Sequence, residues 1–265
     1  MKEFNLQDLQ DKAKNFRREI LEMVHNAKSG HPGGSLSAID ILITLYFYKM
    51  NHDPSDPKSE NRDRFIMSKG HASPAVYVTL ANAGYFSKDE LNGFRKLNCL
   101  LQGHVVADVA GVELSTGSLG QGASVAVGMA LAGKLKKAEY KVYALLGDGE
   151  IQEGQVWESF MTANNYDLNN LCIILDYNKV QENGPVVEIM KEEPLTDKLL
   201  AFGFHVISID GHDFEDIKKA LDEVDTIKNK PTFIIANTIK GKGVSFMENQ
   251  SKWHGKAPSD DELKI

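Results

Sequence analysis

Cysteine is almost missing from this chain. Only Cys99 and Cys172 occur among 265 residues, and they lie far apart. That pattern excludes a disulfide framework and a cysteine-built zinc site, and Cys172, inside an apolar run, reads as a small core residue. No apolar run reaches the roughly 18–20 residues of a membrane span; the longest, 41–48, stops at Lys49. The first residues, MKEFNLQDLQDKAKNF, carry charges throughout and lack the apolar centre of a signal peptide. Positive charge is also short: 30 Lys and Arg face 37 Asp and Glu, a formal balance of −7. A nucleic-acid partner would want a basic face and is not expected. Repeats, low-complexity tracts and linkers rich in Pro, Gly or Ser are absent as well. The simplest account is one large domain with a sizeable core, in a cytoplasmic protein that binds neither membrane nor nucleic acid.

What is present is an alternation of helix-like and strand-like segments. Residues 5–28 place Phe16, Ile20, Met23, Val24 and Ala27 on one side of an amphipathic helix. It breaks at the rigid turn SGHPGG, 29–34, after which Ser35 is expected to cap an apolar helix running to about Lys49. A polar loop, 51–62, precedes a short strand RFIM, 64–67, then SKGH and a helix of small residues to about Ala83. Residues 84–118 have little periodicity, and a long irregular stretch in a compact domain is more often functional than decorative. Next come a helix near 120–137, a strand 142–146, a helix 151–166 and a strand 171–175. A loop containing Asn183-Gly184-Pro185 leads to a helix near 195–202, a strand 205–209, an amphipathic helix 213–227 and a strand 232–237. A polar tail from 241 includes Trp253-His254-Gly255. This alternation predicts an α/β fold, a doubly wound parallel sheet with helices on both faces.

The stretch 141–180 organises the rest. Strand, crossover helix and strand make a βαβ unit with parallel strands, so Asp148 and Asn178 both fall at carboxyl ends of strands, where α/β sheets bind ligands. A carboxylate and an amide oxygen converging on one point suit a hard divalent cation, which completes its shell with phosphate oxygens and water. Gly147 and Gly149 allow a sharp turn and a close approach by a diphosphate. Taken alone, the same residues could be an ordinary strand-end turn. Asp148 followed 30 positions later by Asn178 resembles the diphosphate-and-metal motif of thiamine-diphosphate enzymes, and GDGEIQEGQVWES is similar to the transketolase version of it.

Of eight histidines, five adjoin a glycine: His31, His71, His104, His212 and His254. His212 reads as part of a strand-to-helix turn, with Asp213 as the helix cap. The other four fall in strings that resemble transketolase in the same chain order: SGHPGG, KGHAS, QGH and WHG, with TGSLGQG at 116–122 between the last two. The resemblance runs from about residue 20 to 258. It implies that Asp148, Asn178 and the main-chain carbonyl of Val180 ligate Mg²⁺, with Ca²⁺ or Mn²⁺ as alternatives. It implies contacts to thiamine diphosphate from His71, Gly117, Leu119, Gly149, Asn178 and His254. It assigns His31, His104 and His254 to the substrate channel, with His104 near the donor sugar's hydroxyls. Glu153 and Glu158 match acidic positions that join a network between paired active sites in the family; read without it, they are first-turn carboxylates favoured by the helix dipole.

Two departures stand out. Ser118 occupies a place where many transketolases have proline, and His104 is followed by Val-Val where Pro-Glu is common, which leaves the donor open. The expected function is transfer of a two-carbon ketol unit from a ketose phosphate to an aldose phosphate. Residues 1–265 are expected to form only the diphosphate-binding domain. The pyrimidine-binding and C-terminal domains would lie on a separate chain, two copies of each chain would assemble, and activity would need that partner. The alternatives are a subunit of another thiamine enzyme, of 2-oxo acid dehydrogenase E1 or deoxyxylulose-phosphate synthase type, or a non-catalytic scaffold. A nicotinamide enzyme is disfavoured, because GSLGQG has its glycines in the wrong order for the dinucleotide fingerprint.

Overall fold

A computed structural model describes residues 3–264. Helix α1, Leu6–Ala27, follows the predicted periodicity: Phe16, Ile20, Met23 and Val24 are buried, the Asn5 side chain accepts from the Asp8 amide, and Lys28 ends the helix in the left-handed region. Helix α2, Pro32–Thr44, starts three residues before the expected cap. Pro32, with φ preset for a first helical turn, begins it behind His31, and Ser35 instead donates its hydroxyl to the His31 carbonyl at 2.7 Å. The apolar run then closes in a π-helical turn, Leu45–Lys49, rather than continuing as α-helix.

Strand β1, Arg64–Met67, and helix α3, Ser73–Ala83, come next, followed by helix α4, Gln121–Lys136. Then follow strand β2, Val142–Gly147, helix α5, Gly154–Asn165, and strand β3, Leu171–Tyr177. The loop expected after Asn178 contains a two-stranded antiparallel ribbon, β4 Val180–Gln181 with β5 Gly184–Pro185. The ribbon leads into short helix α6, Val186–Ile189, and helix α7, Leu195–Ala201. Strand β6, His205–Asp210, helix α8, Phe214–Glu223, and strand β7, Thr232–Asn237, complete the main units, with a last turn α9, Asp260–Leu263. Asp213 caps α8 as expected, accepting from the amides of Glu215 and Asp216.

The main sheet has the order β1-β2-β3-β7-β6, with all pairs parallel. Strand alternation sends successive side chains to opposite faces, and both faces here are covered. Tyr143, Leu145, Cys172 and Ile174 join one core with α1, α2, α3 and α8. Ala144, Leu146, Ile173 and Leu175 join a second with α4 and α5, where Phe160 packs edge-on against Phe204 and Phe233. Burial pushes the Cys172 thiol up to about 12, as befits a core residue. No helix among the described residues is long and apolar enough to cross a membrane. All five strands end on the same edge, so the segments following Met67, Gly147, Tyr177 and Asn237 meet there.

One contact on that edge is testable. A Cβ at Gly122, in the first turn of α4, would lie 2.7 Å from Ser68 Cα, whereas one at Gly128 would meet nothing within 4 Å. Gly122→Ala is expected to cost about 1–3 kcal/mol from overpacking. Gly128→Ala should gain about 0.5–1 kcal/mol from reduced backbone entropy. Denaturant melts of both variants check the contrast.

Candidate active site

The carboxyl edge holds a cavity of about 330 Å³, and each candidate binding, metal or catalytic residue from the sequence lies on its wall. The turns after β2 and β3 bring Asp148, Gly149, Asn178 and Val180. The amino end of α2 brings His31, and the turn after β1 brings His71. The irregular segment 84–118 delivers His104 and Gly117 by main-chain anchoring. Tyr77 donates its hydroxyl to the His104 carbonyl at 2.8 Å, Ser73 to the Gly103 carbonyl at 2.9 Å, and Thr116 to the Met67 carbonyl at 2.6 Å. Gly70 is needed for this, because any Cβ there would overlap Thr116. Leu119 follows on the loop into α4. His254 arrives from the tail, which is anchored to the core by Met247 and Trp253; the Trp253 indole is fully buried and donates from Nε1 to the Phe246 carbonyl at 3.0 Å.

His31 sits at the centre of the imidazoles. Its ring centroid lies 5.2 Å from His71, 5.8 Å from His104 and 5.5 Å from His254, while His71 and His254 are 4.9 Å apart. Burial, with His104, Arg95 and Lys240 adding to it, takes His31 down to about 4. Burial and Lys240 take His254 to about 3. His71 is driven well below its usual value by burial and Lys69, and His104 falls for burial and Arg95. At neutral pH all four rings are therefore uncharged, able to accept a proton or a hydrogen bond. The Nδ1 of His31 is buried with no hydrogen-bond partner among the described residues.

Two ammoniums that the motifs did not single out complete the wall, Lys69 and Lys240, each 2% exposed. Lys240 donates to the Val180 carbonyl at 2.7 Å and to His254 Nδ1 at 3.0 Å, and burial brings it down to about 8. Lys69 pairs with Asp176 and donates to the Gly34 carbonyl at 3.1 Å. Asp176 is fully buried and also accepts from Ser37, Thr238 and Asn178. Burial alone would raise its carboxyl, but Lys69 and the hydroxyl donors hold it below the usual range. Asp148 has no such ion pair among the described residues: burial and the Asp176 charge raise it, although the amides of Gly149 and Lys179 donate to it at 2.8 and 2.5 Å. Glu150, raised by burial, gathers Ser68, the Gly120 amide at 2.9 Å and the Gly147 amide at 3.0 Å. A charge inside or beside an apolar strand, as in CIILDY, was the available signal for Asp176; Lys69 opens the string KGHAS, where only the histidine drew notice, and Lys240 follows the last strand.

Other candidates lie elsewhere. Glu153 and Glu158 are exposed, at the cap and on the outer side of α5. His212 is structural, with its Nδ1 2.7 Å from an Asp40 oxygen and its Nε2 accepting from the Ile239 amide at 2.8 Å. Asp40 also takes Arg17, so the polar floor of the larger groove along α1, about 910 Å³, is already paired. Among the described residues no cluster of three His, Cys, Asp or Glu could cage a metal.

A parallel sheet whose carboxyl edge gathers these turns is the architecture of a thiamine-diphosphate-binding domain, and residues 9–265 match the family described as "Transketolase, thiamine diphosphate binding domain". The structure is similar to that of transketolase from Campylobacter jejuni, with a TM-score of 0.93 and 37% identity over 98% of this chain and 42% of that one. The chain belongs to the transketolase family. It is 43% identical over 248 residues to a subunit of the apulose-4-phosphate transketolase of Phocaeicola vulgatus, covering 94% of this chain and 88% of the relative. To human transketolase it is 42% identical over 252 residues, 95% of this chain but 40% of that protein. It thus spans nearly the length of the subunit relative and about two-fifths of the longer enzyme.

The buried imidazoles set a pH dependence. Unfolded histidine protonates near 6.5, whereas folded His31 stays neutral down to about 4. Between those values the unfolded chain binds the extra proton, so stability falls as pH falls. Melting temperatures from pH 7 to 4.5 should decline less steeply in His31→Asn than in the parent chain.

Proposed function

We propose that this chain is the cofactor-holding subunit of a two-chain transketolase, transferring a two-carbon ketol unit from a ketose phosphate to an aldose phosphate. The observation that carries the reading is the meeting of Asp148, Asn178 and the Val180 carbonyl with four neutral imidazoles in one cavity. The donor set suits thiamine diphosphate and a divalent cation, Mg²⁺ before Ca²⁺ or Mn²⁺. Two ammoniums, Lys69 and Lys240, face three buried carboxylates, Asp148, Glu150 and Asp176, and the raised Asp148 would welcome a cation of its own. The Val180 carbonyl already attracts the Lys240 ammonium. Gly149 keeps the wall low, since a Cβ there would lie 3.2 Å from the Gln181 Cβ.

In this reading Asp148, Asn178 and Val180 O hold the metal, and His71, Gly117, Leu119, Gly149, Asn178 and His254 contact the cofactor. The cofactor, when bound, supplies the electron sink for cleavage beside the donor's carbonyl. The chain's own contribution is proton handling and placement. His31, His104 and His254 are neutral, so each can take a proton from a sugar hydroxyl and return it. Lys240, donating to His254 Nδ1, leaves the proton of that ring on Nε2. Lys240, which meets a carbonyl and a neutral imidazole, offers its charge to a diphosphate.

The partner in this proposal is a chain with a pyrimidine-binding domain, two copies of each chain assembling; the names of the relatives, which describe them as transketolase subunits, support the existence of a partner chain. Exposed Val187 and Met190, next to the ribbon at the cavity mouth, offer it apolar surface. Two unpaired cysteines suit a reducing, cytoplasmic setting.

Calorimetric titration of thiamine diphosphate with Mg²⁺, on this chain alone and mixed with such a partner, tests the reading. Binding should be weak alone, tight in the mixture and at least about 100-fold weaker in Asp148→Ala, since even residues supporting a metal ligand contribute 10–100-fold. Equal binding by Asp148→Ala would defeat the metal assignment. In the active mixture, His104→Ala should lower kcat/KM by about 10²–10⁴ while thiamine diphosphate affinity stays near that of the parent; an unchanged kcat/KM would remove His104 from proton transfer.

A further inference from the structure

An asparagine can ligate a hard cation only through its oxygen, yet its side chain can turn either way. Three contacts fix the choice at Asn178. Its Nδ2 donates to Asp176 Oδ2 at 3.3 Å and approaches Ser37 Oγ at 3.4 Å, while its Oδ1 accepts from the Val180 amide at 3.1 Å. Turned over, the amide would set its oxygen against a carboxylate oxygen and its NH₂ against a main-chain N–H, two repulsive contacts in place of two bonds. The carboxylate that imposes this cannot itself turn or leave. Asp176 is fully buried, and Lys69, Ser37 and Thr238 hold its two oxygens.

We propose that Asp176 is a positioning residue: by taking the amide NH₂ of Asn178 it presents Oδ1 as the metal-ligating face, and the contact with Lys69 holds that carboxylate in place. This rests on the metal reading above. Such supporting groups typically contribute 10–100-fold in metal affinity. The placement also explains why a full charge sits in an otherwise apolar strand: an amide at 176 would have an oxygen and an NH₂ to offer, and would lose command of the orientation of its neighbour.

The probe is Mn²⁺, followed by its electron paramagnetic resonance signal as it binds to the assembled two-chain protein with thiamine diphosphate. Asp176→Asn should weaken Mn²⁺ binding by about 10–100-fold. Thr238→Val, which removes a donor from the far oxygen of Asp176 and nothing from Asn178, should bind Mn²⁺ within about twofold of the parent. The decisive background is Asn178→Asp, whose two oxygens make orientation irrelevant. There, adding Asp176→Asn should cost no further affinity, which a merely structural role for Asp176 would not allow. If Asp176→Asn alone fails to fold because Lys69 is left unpaired, Lys69→Met with Asp176→Asn removes both charges and takes its place. Mn²⁺ affinity within twofold of the parent in folded Asp176→Asn, or in folded Lys69→Met with Asp176→Asn, overturns the proposal, and so does an equal loss when Asp176→Asn is added to the Asn178→Asp background. Failure of the parent assembly to bind Mn²⁺ would instead defeat the metal reading.

Discussion

The ion pair between Lys69 and Asp176 lies sealed at the carboxyl edge of the sheet, and the site is assembled around it. Burying two charges costs more than their attraction returns unless other hydrogen bonds complete them. Here they are completed: Lys69 reaches the Gly34 carbonyl, and Asp176 collects hydroxyls from Ser37 and Thr238 and the amide of Asn178. The pair and its partners belong to four separate segments, the start of α2, the turn after β1, the end of β3 and the end of β7. The pair therefore fixes the relative position of the loops that meet at the metal-ligand candidates.

A second keystone, Glu150, does the same for the loop before α4. It draws the Gly120 amide, Ser68 and the Gly147 amide to one carboxylate, so the segment bearing Gly117 and Leu119 is tied to the turn bearing Asp148. Between these fixed walls four histidines are crowded, the rings of the other three lying no more than 5.8 Å from His31, centre to centre. Crowding and burial keep them uncharged, and neutrality gives them capacity for proton exchange. The two ammoniums beside them favour that neutrality.

Much of this was legible in the order of the residues. Short apolar runs ending in GDG and DYN announced parallel strands, and glycine-flanked histidines announced loops facing a ligand. Elements set by local rules, such as the Asp213 cap and the apolar face of α1, fell where predicted. The start of α2 did not, because Pro32 at the first helical position outweighed Ser35 as a cap. The ribbon at 180–185 was unreadable, being two residues a side and held only by its own pairing. Lys69, Lys240 and Asp176 had no periodicity to betray them, since their importance comes from partners distant in the chain.

Residue order alone set the sheet's class, its alternation of buried faces and the short motifs that the candidate site is built from, because these depend on local propensity and on neighbours within a few residues. Tertiary structure alone decided which charges pair, which way the Asn178 amide turns and which imidazoles lose their protons. Those properties arise from burial and from contacts between segments far apart in the chain, such as Lys69 with Asp176, 107 positions apart, which holds the carboxylate that turns the Asn178 amide. Free energies of that kind exist only once the chain has closed on itself and excluded water.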